Sequence, residues 1–559
     1  MNATATTELI RVLRQSQLDG AKTKAERNKL GQFATPTALA ADILKYASTQ
    51  LPSDIKIRFL DPALGTGAFY SALLQQFLEE QIVEAVGYEI DPHYGNEAKK
   101  LWENSLLHLN LTDFTRAMPP KSDEAKANLL ICNPPYVRHH HLSRVEKQRL
   151  QQVTEQIMGI KLSQLASLYC HFLCISHAWM AQNGLAGWLI PSGFMDVNYG
   201  RKIKDYLLNR VTLLRVHCFN PADLQFEDAL CTSAVVWFKK ALPPTEYTVE
   251  FTYGGSLTEP KMSLTVPVEV LRNAAKWTQF WLTSDSQHSK IKPMKSPEVN
   301  CFEEMPLFRG VSPSTSCEVK LSDLFTIKRG LATGANHFFV LTSEQVSDYK
   351  LPLEFLKPIL PSPRLLSVDE IEADSDGNPV LVREASPKEN RLLFLLSCDF
   401  PPLEVKAKYS SLWEYLQMGV SQGISDRYLC NHRSPWYSQE KRPPSPFLCT
   451  YMGRQNTGRG RPFRFILNHS RATATNVYLM LYPKPALAKA LLDKPELLKE
   501  VWQALDRMDD ETLMGEGRVY GGGLHKLEPR ELGNALADKI VEVLPASLTN
   551  SGSLTNLKW

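Results

Sequence analysis

The chain has 559 residues, 43% of them apolar, and a formal net charge of +3. That length exceeds one ordinary domain and predicts roughly two or three, with ample material for packed cores; a near-neutral balance carries no bulk signature of a nucleic-acid binder. The ten cysteines include no Cys-x-x-Cys pair and read as reduced core residues of a cytosolic protein. The amino terminus is polar and the apolar runs are short, so neither a signal peptide nor a membrane span is expected.

Phe59-Leu60 reads as the end of an apolar strand. Asp61-Pro62-Ala63-Leu64-Gly65-Thr66-Gly67-Ala68-Phe69 follows, then an amphipathic segment over 70–81. Strand, glycine loop and helix form the nucleotide-binding crossing of a doubly wound α/β sheet. The loop lacks the Lys-Ser/Thr ending of a phosphate loop and the Gly-x-Gly-x-x-Gly spacing of a dinucleotide site. Asp61, the acid that opens it, suits a cationic or amine-bearing ligand. A second strand over 83–88 ends at Glu89-Ile90-Asp91, where an acid is placed to accept both hydroxyls of a ribose. After a short apolar run over 106–111, Asp113-Phe114 offers a carboxylate and a ring to the amino edge and the face of an adenine. Singly, each acid is an ordinary loop residue. In this order, each at a strand end, they point to S-adenosyl-methionine.

The apolar run Leu129-Leu130-Ile131-Cys132 stops at Asn133-Pro134-Pro135-Tyr136. Each proline fixes its own φ, donates no N–H and holds the residue before it extended. The turn is therefore rigid and presents free carbonyls beside an amide and a ring, a set suited to gripping a planar amino group while a ring stacks on it. The bland alternative is a strand-ending turn with no chemistry; the loop upstream favours the functional one. Arg138 and His139-His140-His141 come next, read as a polar loop that touches the target strand or faces water rather than as a metal cluster.

Helical spacing runs over 164–180, where Cys170 and Cys174 beside His171 read as core packing. Strands are expected over 185–190, 213–219 and 232–238. The pattern lapses around Ala241-Leu242-Pro243-Pro244, and 284–317 is polar. Three regions follow: a first domain over 1–245, a connection over 246–318, and a second domain over 319–545. Local charge collects late. Arg427, Arg433, Lys441, Arg442, Arg454, Arg459, Arg461, Arg464 and Arg471 fall between 427 and 471 with Glu440 as the only acid, interleaved with Tyr428, Trp436, Tyr437, Tyr451, Phe463 and Phe465. A basic run is commonly a solvated face, but arginines among glycines and aromatics suit phosphate and groove contacts.

The chain resembles the gamma-class, TaqI-like amino-methyltransferases of bacterial restriction–modification systems, which methylate N6 of adenine in DNA. Gly31-Gln32-Phe33-Ala34-Thr35-Pro36 matches the segment that family places before the glycine loop, and the order segment, loop, Asn-Pro-Pro-Tyr, carboxy-terminal domain is distinctive. By motif the resemblance covers roughly 25–240, and more loosely 320–535, where Leu324 to Gly330, Thr333 to Asn336, Gly521 to Leu524 and Leu527-Glu528-Pro529 resemble its recognition domain. It implies that Thr35 and Pro36, with Phe33, close over the methionine end of the cofactor. Asp61, Ala63, Gly65 and Gly67 line the amino-acid part, Glu89 takes the ribose, and Asp113 with Phe114 holds the adenine. Asn133 and the carbonyl of Pro134 accept the N–H bonds of the target amino group, and Tyr136 stacks on the base. A second aromatic is expected opposite, with Phe226 chosen and Phe219 as its rival.

The expectation is thus an α/β, Rossmann-like class I adenosyl-methionine-dependent methyltransferase domain followed by a mixed α+β DNA target-recognition domain. Arg138, Arg427, Arg433, Arg454, Arg459, Arg461 and Arg464 are the candidate DNA contacts, and no metal is assigned. A monomeric enzyme of the bacterial cytoplasm acting on double-stranded DNA is expected, with a separate cognate endonuclease as candidate partner. An RNA or protein-amide methyltransferase would share the site chemistry; a DNA-binding specificity subunit with a vestigial cofactor fold is the non-enzymatic alternative.

Overall fold

A computed structural model describes residues 3–220, 232–282, 319–381, 392–454, 461–520 and 523–545. The chain divides into two compact units, Met1–Pro293 with Tyr520–Gly523, and Met294–Val519 with Leu524–Trp559.

The first unit runs, in chain order, α1 (Ala3–Gly20), α2 (Lys24–Leu30), α3 (Thr37–Gln50), β1 (Ile57–Asp61), α4 (Ala68–Gln76), β2 (Ile82–Glu89), α5 (Pro92–Leu101), β3 (Leu107–Leu111) and β4 (Ala127–Cys132). It continues with α6 (Arg144–Met158), α7 (Leu168–Ser176), β5 (Met180–Pro191), α8 (Arg201–Asn209), β6 (Thr212–Cys218), β7 (Ser233–Lys239), β8 (Thr248–Gly255) and β9 (Pro260–Pro267). All nine strands form one sheet in the order β3-β2-β1-β4-β5-β7-β6-β8-β9. The first five are parallel, and β7 inserts antiparallel between β5 and β6.

The central strands read as unbroken apolar runs because both faces are covered. Successive side chains alternate sides. Leu129 and Ile131 join one cluster with α3 and α4, while Leu130 and Cys132 join the other with α7 and α8. All four are fully buried; burial of a leucine or isoleucine side chain contributes roughly 1.5–3 kcal/mol. The parallel order places the carboxyl ends of β1, β2, β3 and β4 along one sheet edge, where a doubly wound sheet binds its ligand.

Two expectations differ from the structure. The helix expected over 164–180 is shorter, Leu168–Ser176, because β5 already begins at Met180, paired with Ala127 of β4. The connection expected over 246–318 begins too early. β8 pairs in parallel with β6, and Val249 and Phe251 are fully buried. Trp277 and Trp281 then pack on Phe251, with ring centroids 5.8 and 5.4 Å away. The alternation Val249, Phe251, Tyr253 was the available strand signal.

The second unit is α+β. Phe325–Arg329, Tyr478–Pro483, Phe447–Thr450, Phe465–Asn468, Glu370–Ala373 and Pro379–Val380 form a mostly antiparallel six-stranded sheet. Helices Pro485–Asp493 and Leu497–Asp506 contribute Leu487, Leu497, Val501 and Leu505 to the cluster that includes the sheet residues Phe447 and Leu479. A separate core gathers around Phe338, Phe339 and Tyr415. Among the described residues, no helix is long and apolar enough to cross a membrane.

Phe251→Ala tests the extended boundary. It removes a fully buried ring, and the expected loss is about 3–5 kcal/mol of unfolding free energy in urea. A surface connection at this point would lose less than about 0.5 kcal/mol.

Candidate active site

β1 ends in Asp61, whose Oδ1 accepts the Ala63 N–H at 3.1 Å and turns the chain into the glycine loop. Its other oxygen is buried with no hydrogen-bond partner among the described residues. Burial is the main cause that pushes the Asp61 carboxyl up to about 8; the Ala63 N–H opposes the shift, and the charge of Glu89 adds to it. Gly65 and Gly67 have φ of +60° and +92°, and a Cβ at Gly67 would lie 2.6 Å from Trp102 Nε1, so glycine is needed there on both counts. That indole instead donates to the Thr66 carbonyl at 2.9 Å. Glu89, at the end of β2, accepts the Gly65 N–H at 2.9 Å and the Asp91 N–H at 2.8 Å. Loop and acid tip therefore form one piece.

Asp113 is a local cap, accepting the Thr115 N–H and hydroxyl at 2.8 and 2.7 Å and Arg116 Nε at 3.2 Å. Phe114 turns inward. It is 2% exposed, its ring packed among Tyr88, Trp179 and Phe172 at 5.3, 5.2 and 5.6 Å.

The turn after β4 is joined to a segment about a hundred positions earlier. Asn133 Nδ2 donates to the Phe33 carbonyl at 3.0 Å and to Thr35 Oγ1 at 3.1 Å. A carbonyl only accepts, so the amide nitrogen must face Phe33, and the orientation of Oδ1 follows. That oxygen is buried and has no hydrogen-bond partner among the described residues. Tyr136 donates its N–H to the Gly31 carbonyl and its hydroxyl to the Leu189 carbonyl of β5, each at 3.1 Å. The Phe33 and Tyr136 ring centroids lie 5.7 Å apart. Gly31, at φ +65°, passes so close that a Cβ would lie 2.4 Å from Tyr136 N. Thr35 and Pro134 are buried, whereas Pro36 is exposed at the start of α3. Phe226 lies outside the described residues; its rival Phe219 is 5% exposed and meets His217 edge-on at 4.7 Å.

Sequence reasoning missed α1. Glu8 and Arg11 are 9% and 2% exposed, whereas Leu9, Ile10, Val12 and Leu13 are 56, 44, 41 and 57% exposed. An inward polar stripe inverts the usual pattern, so hydrophobic periodicity conceals the buried face; the spacing of Glu8, Arg11, Gln15 and Asp19 was the available signal.

In the second unit, several arginines of the run make internal bonds. Arg433 donates to the Ala332 and Thr333 carbonyls at 2.6 and 2.8 Å. Arg461 binds Asp506 and Asp510 at 3.3 and 3.0 Å. Arg464 binds Asp369 and the Pro363 carbonyl. The many-donor guanidinium is well suited to satisfying such buried loop carbonyls. Arg138 and Arg427 are exposed, Arg454 is half-buried in the strand Met452–Arg454, and Arg459 lies outside the described residues.

Sheet order, glycine loop and acid tips define a class, a Rossmann-like methyltransferase-type α/β domain followed by a further α+β domain. The family described as Eco57I restriction-modification methylase matches residues 67–224, and that described as the C-terminal domain of Type II methyltransferase M.Eco57I matches 302–553. Type II methyltransferase M.AccI of Acinetobacter calcoaceticus is 25% identical over 91% of this chain and 85% of its own. Type II methyltransferase M.XamI of Xanthomonas campestris pv. amaranthicola is 25% identical over 90% and 84%. Among solved structures, the Type IIL restriction-modification enzyme MmeI in complex with DNA aligns over 99% of this chain and 78% of its own at 12% identity and TM-score 0.47. The chain is thus related to the adenosyl-methionine-dependent DNA methyltransferases of Type II restriction–modification systems.

Two outcomes follow from the geometry. Gly31→Ala is expected to lower methyl transfer at least about tenfold through displacement of Tyr136, since a misplacement of about 1 Å can cost 10²-fold; unchanged activity would contradict the close approach. The native Asp61 carboxyl keeps a proton up to about 8 that the unfolded chain releases near 3.8, so this group makes stability fall as pH rises between those values. Asp61→Asn should accordingly gain stability relative to the parent, more at pH 8 than at pH 5, in denaturant titrations without cofactor.

Proposed function

We propose that the chain transfers the methyl group of S-adenosyl-methionine to N6 of an adenine swung out of duplex DNA, as the modification enzyme of a restriction–modification system. The observation that carries this reading is the buried Oδ1 of Asn133, without a partner among the described residues and oriented by two bonds from its own amide nitrogen. Leaving a buried acceptor open costs about 1–3 kcal/mol, a cost understandable where an N–H group of a substrate completes the bond.

The cofactor supplies a methyl group on a positively charged sulfur. The residues present fit it. The open oxygen of Asp61 suits the cofactor's ammonium group, Gly65 and Gly67 admit a ligand close to the backbone, and Glu89 retains acceptor capacity for ribose hydroxyls. Thr35, held against Asn133, lies between Phe33 and Pro36 in the segment read as closing over the methionine end.

The exocyclic nitrogen of adenine is a poor nucleophile because its lone pair is delocalised into the ring. Asn133 Oδ1 and the Pro134 carbonyl accept its two N–H bonds and favour the tetrahedral geometry that frees the lone pair. Preorganised acceptors and in-line positioning do most of the work. Once methylated, the nitrogen is strongly acidic and loses a proton without a dedicated base. Base flipping costs roughly a few kcal/mol, and stacking on Tyr136, about 1–3 kcal/mol, offsets it. Exposed Arg138 and Arg427 are the arginines best placed to contact DNA.

Asn133→Ala is expected to lower methyl transfer to duplex DNA by about 10²–10³-fold, with cofactor affinity changed less than about threefold. Mass spectrometry of DNA from expressing cells should show N6-methyladenine with the parent protein and none with the variant. Labelling of RNA or protein in place of DNA would overturn the substrate assignment.

A further inference from the structure

The inward stripe of α1 reaches two segments of the cofactor site, the glycine loop and the stretch that ends at Thr37. Arg11 forms a two-pronged pair with Glu8, both bonds 2.7 Å. Its remaining donors reach Thr66 Oγ1 at 3.1 Å, between the two loop glycines, and Thr37 Oγ1 at 3.2 Å, next to Pro36. Thr37 in turn donates to Glu8 at 2.5 Å, and Thr66 donates to Gln15 at 2.7 Å. Beyond the helix end, Lys22 and Gln32 both bind Asp91, whose N–H is held by Glu89. The outward residues Leu9, Ile10, Val12 and Leu13 add no apolar anchor, so polar bonds to the cofactor segments dock the helix. A buried ion pair contributes little net stability compared with apolar packing, yet breaking one side of it is costly; its consequence here is orientation.

We propose that α1 is a positioning element of the cofactor site and that Arg11 is its central positioning residue, locking the glycine loop at Thr66 to the segment that ends at Thr37. This rests on the adenosyl-methionine reading of the site. With Arg11 in place, the N–H groups and carbonyls of 65–67 and the Phe33–Pro36 segment hold one spacing. Without it, the two sides move independently, and cofactor affinity suffers before the chemistry does.

The test uses the full chain. Calorimetric Kd values for S-adenosyl-methionine and S-adenosyl-homocysteine are measured with parent, Arg11→Gln, Thr66→Val, Thr66→Ser and Leu9→Ala, alongside kcat at saturating cofactor and thermal midpoints. Arg11→Gln and Thr66→Val should weaken both ligands tenfold or more with kcat reduced less than threefold. Thr66→Ser, which keeps the hydroxyl, should bind within threefold of the parent, as should Leu9→Ala on the outer face. Should Arg11→Gln fail to fold, the Thr66 pair decides. Folded Arg11→Gln or Thr66→Val with Kd within twofold of the parent, whatever the thermal midpoint, overturns the proposal. Failure of the parent itself to bind either ligand would instead overturn the cofactor reading, and with it this inference; methylation of something other than DNA would leave the inference standing.

Discussion

The site depends on one amide. Asn133 turns its nitrogen toward the Phe33 carbonyl and the Thr35 hydroxyl, and because the carbonyl can only accept, the oxygen has a single orientation. That arrangement requires 31–36 to lie against the turn after β4. The approach is possible only because Gly31 has no side chain to collide with Tyr136. The parallel strands do the rest, bringing the loops after β1, β2, β3 and β4 to the same sheet edge.

Around that edge the molecule places polarity where a stable core would exclude it. Asn133 Oδ1 and Asp61 Oδ2 are buried acceptors without partners, and Asp61 is driven by burial toward its neutral form. The lattice of α1 behaves differently, since Glu8, Arg11, Gln15, Thr37 and Thr66 satisfy one another. Closed polar contacts therefore surround open ones. Such local departures from ordinary packing rules concentrate at functional sites, and Asn133 and Asp61 are among the buried groups left open in the described residues.

Much of this was legible without coordinates. Short apolar runs and the turn or acidic residues that end them announced β1, β2 and β4, and the glycines of the loop announced a backbone that few other residues adopt. What was not legible has distinct causes. The depth of Phe114 was not legible because its ring neighbours Tyr88, Phe172 and Trp179 are scattered along the chain. The arginine run was read by composition, whereas Arg433, Arg461 and Arg464 spend their donors on carbonyls and carboxylates distant in sequence. β8 was overlooked although Val249, Phe251 and Tyr253 alternate, because a proline pair just before it masked the continuing sheet.

By itself the sequence determined the fold class, the end of each central strand and the chemistry of the groups placed there, since these follow from local sterics, side-chain period and donor–acceptor type. Only the tertiary structure decided which way the Asn133 amide faces, which arginines remain exposed and what lies behind the glycine loop. Those outcomes depend on partners tens to hundreds of residues away. A hydrogen bond between distant residues leaves no periodic trace in the chain; for α1 the pattern even pointed the wrong way, with leucines outward and an arginine–glutamate pair within.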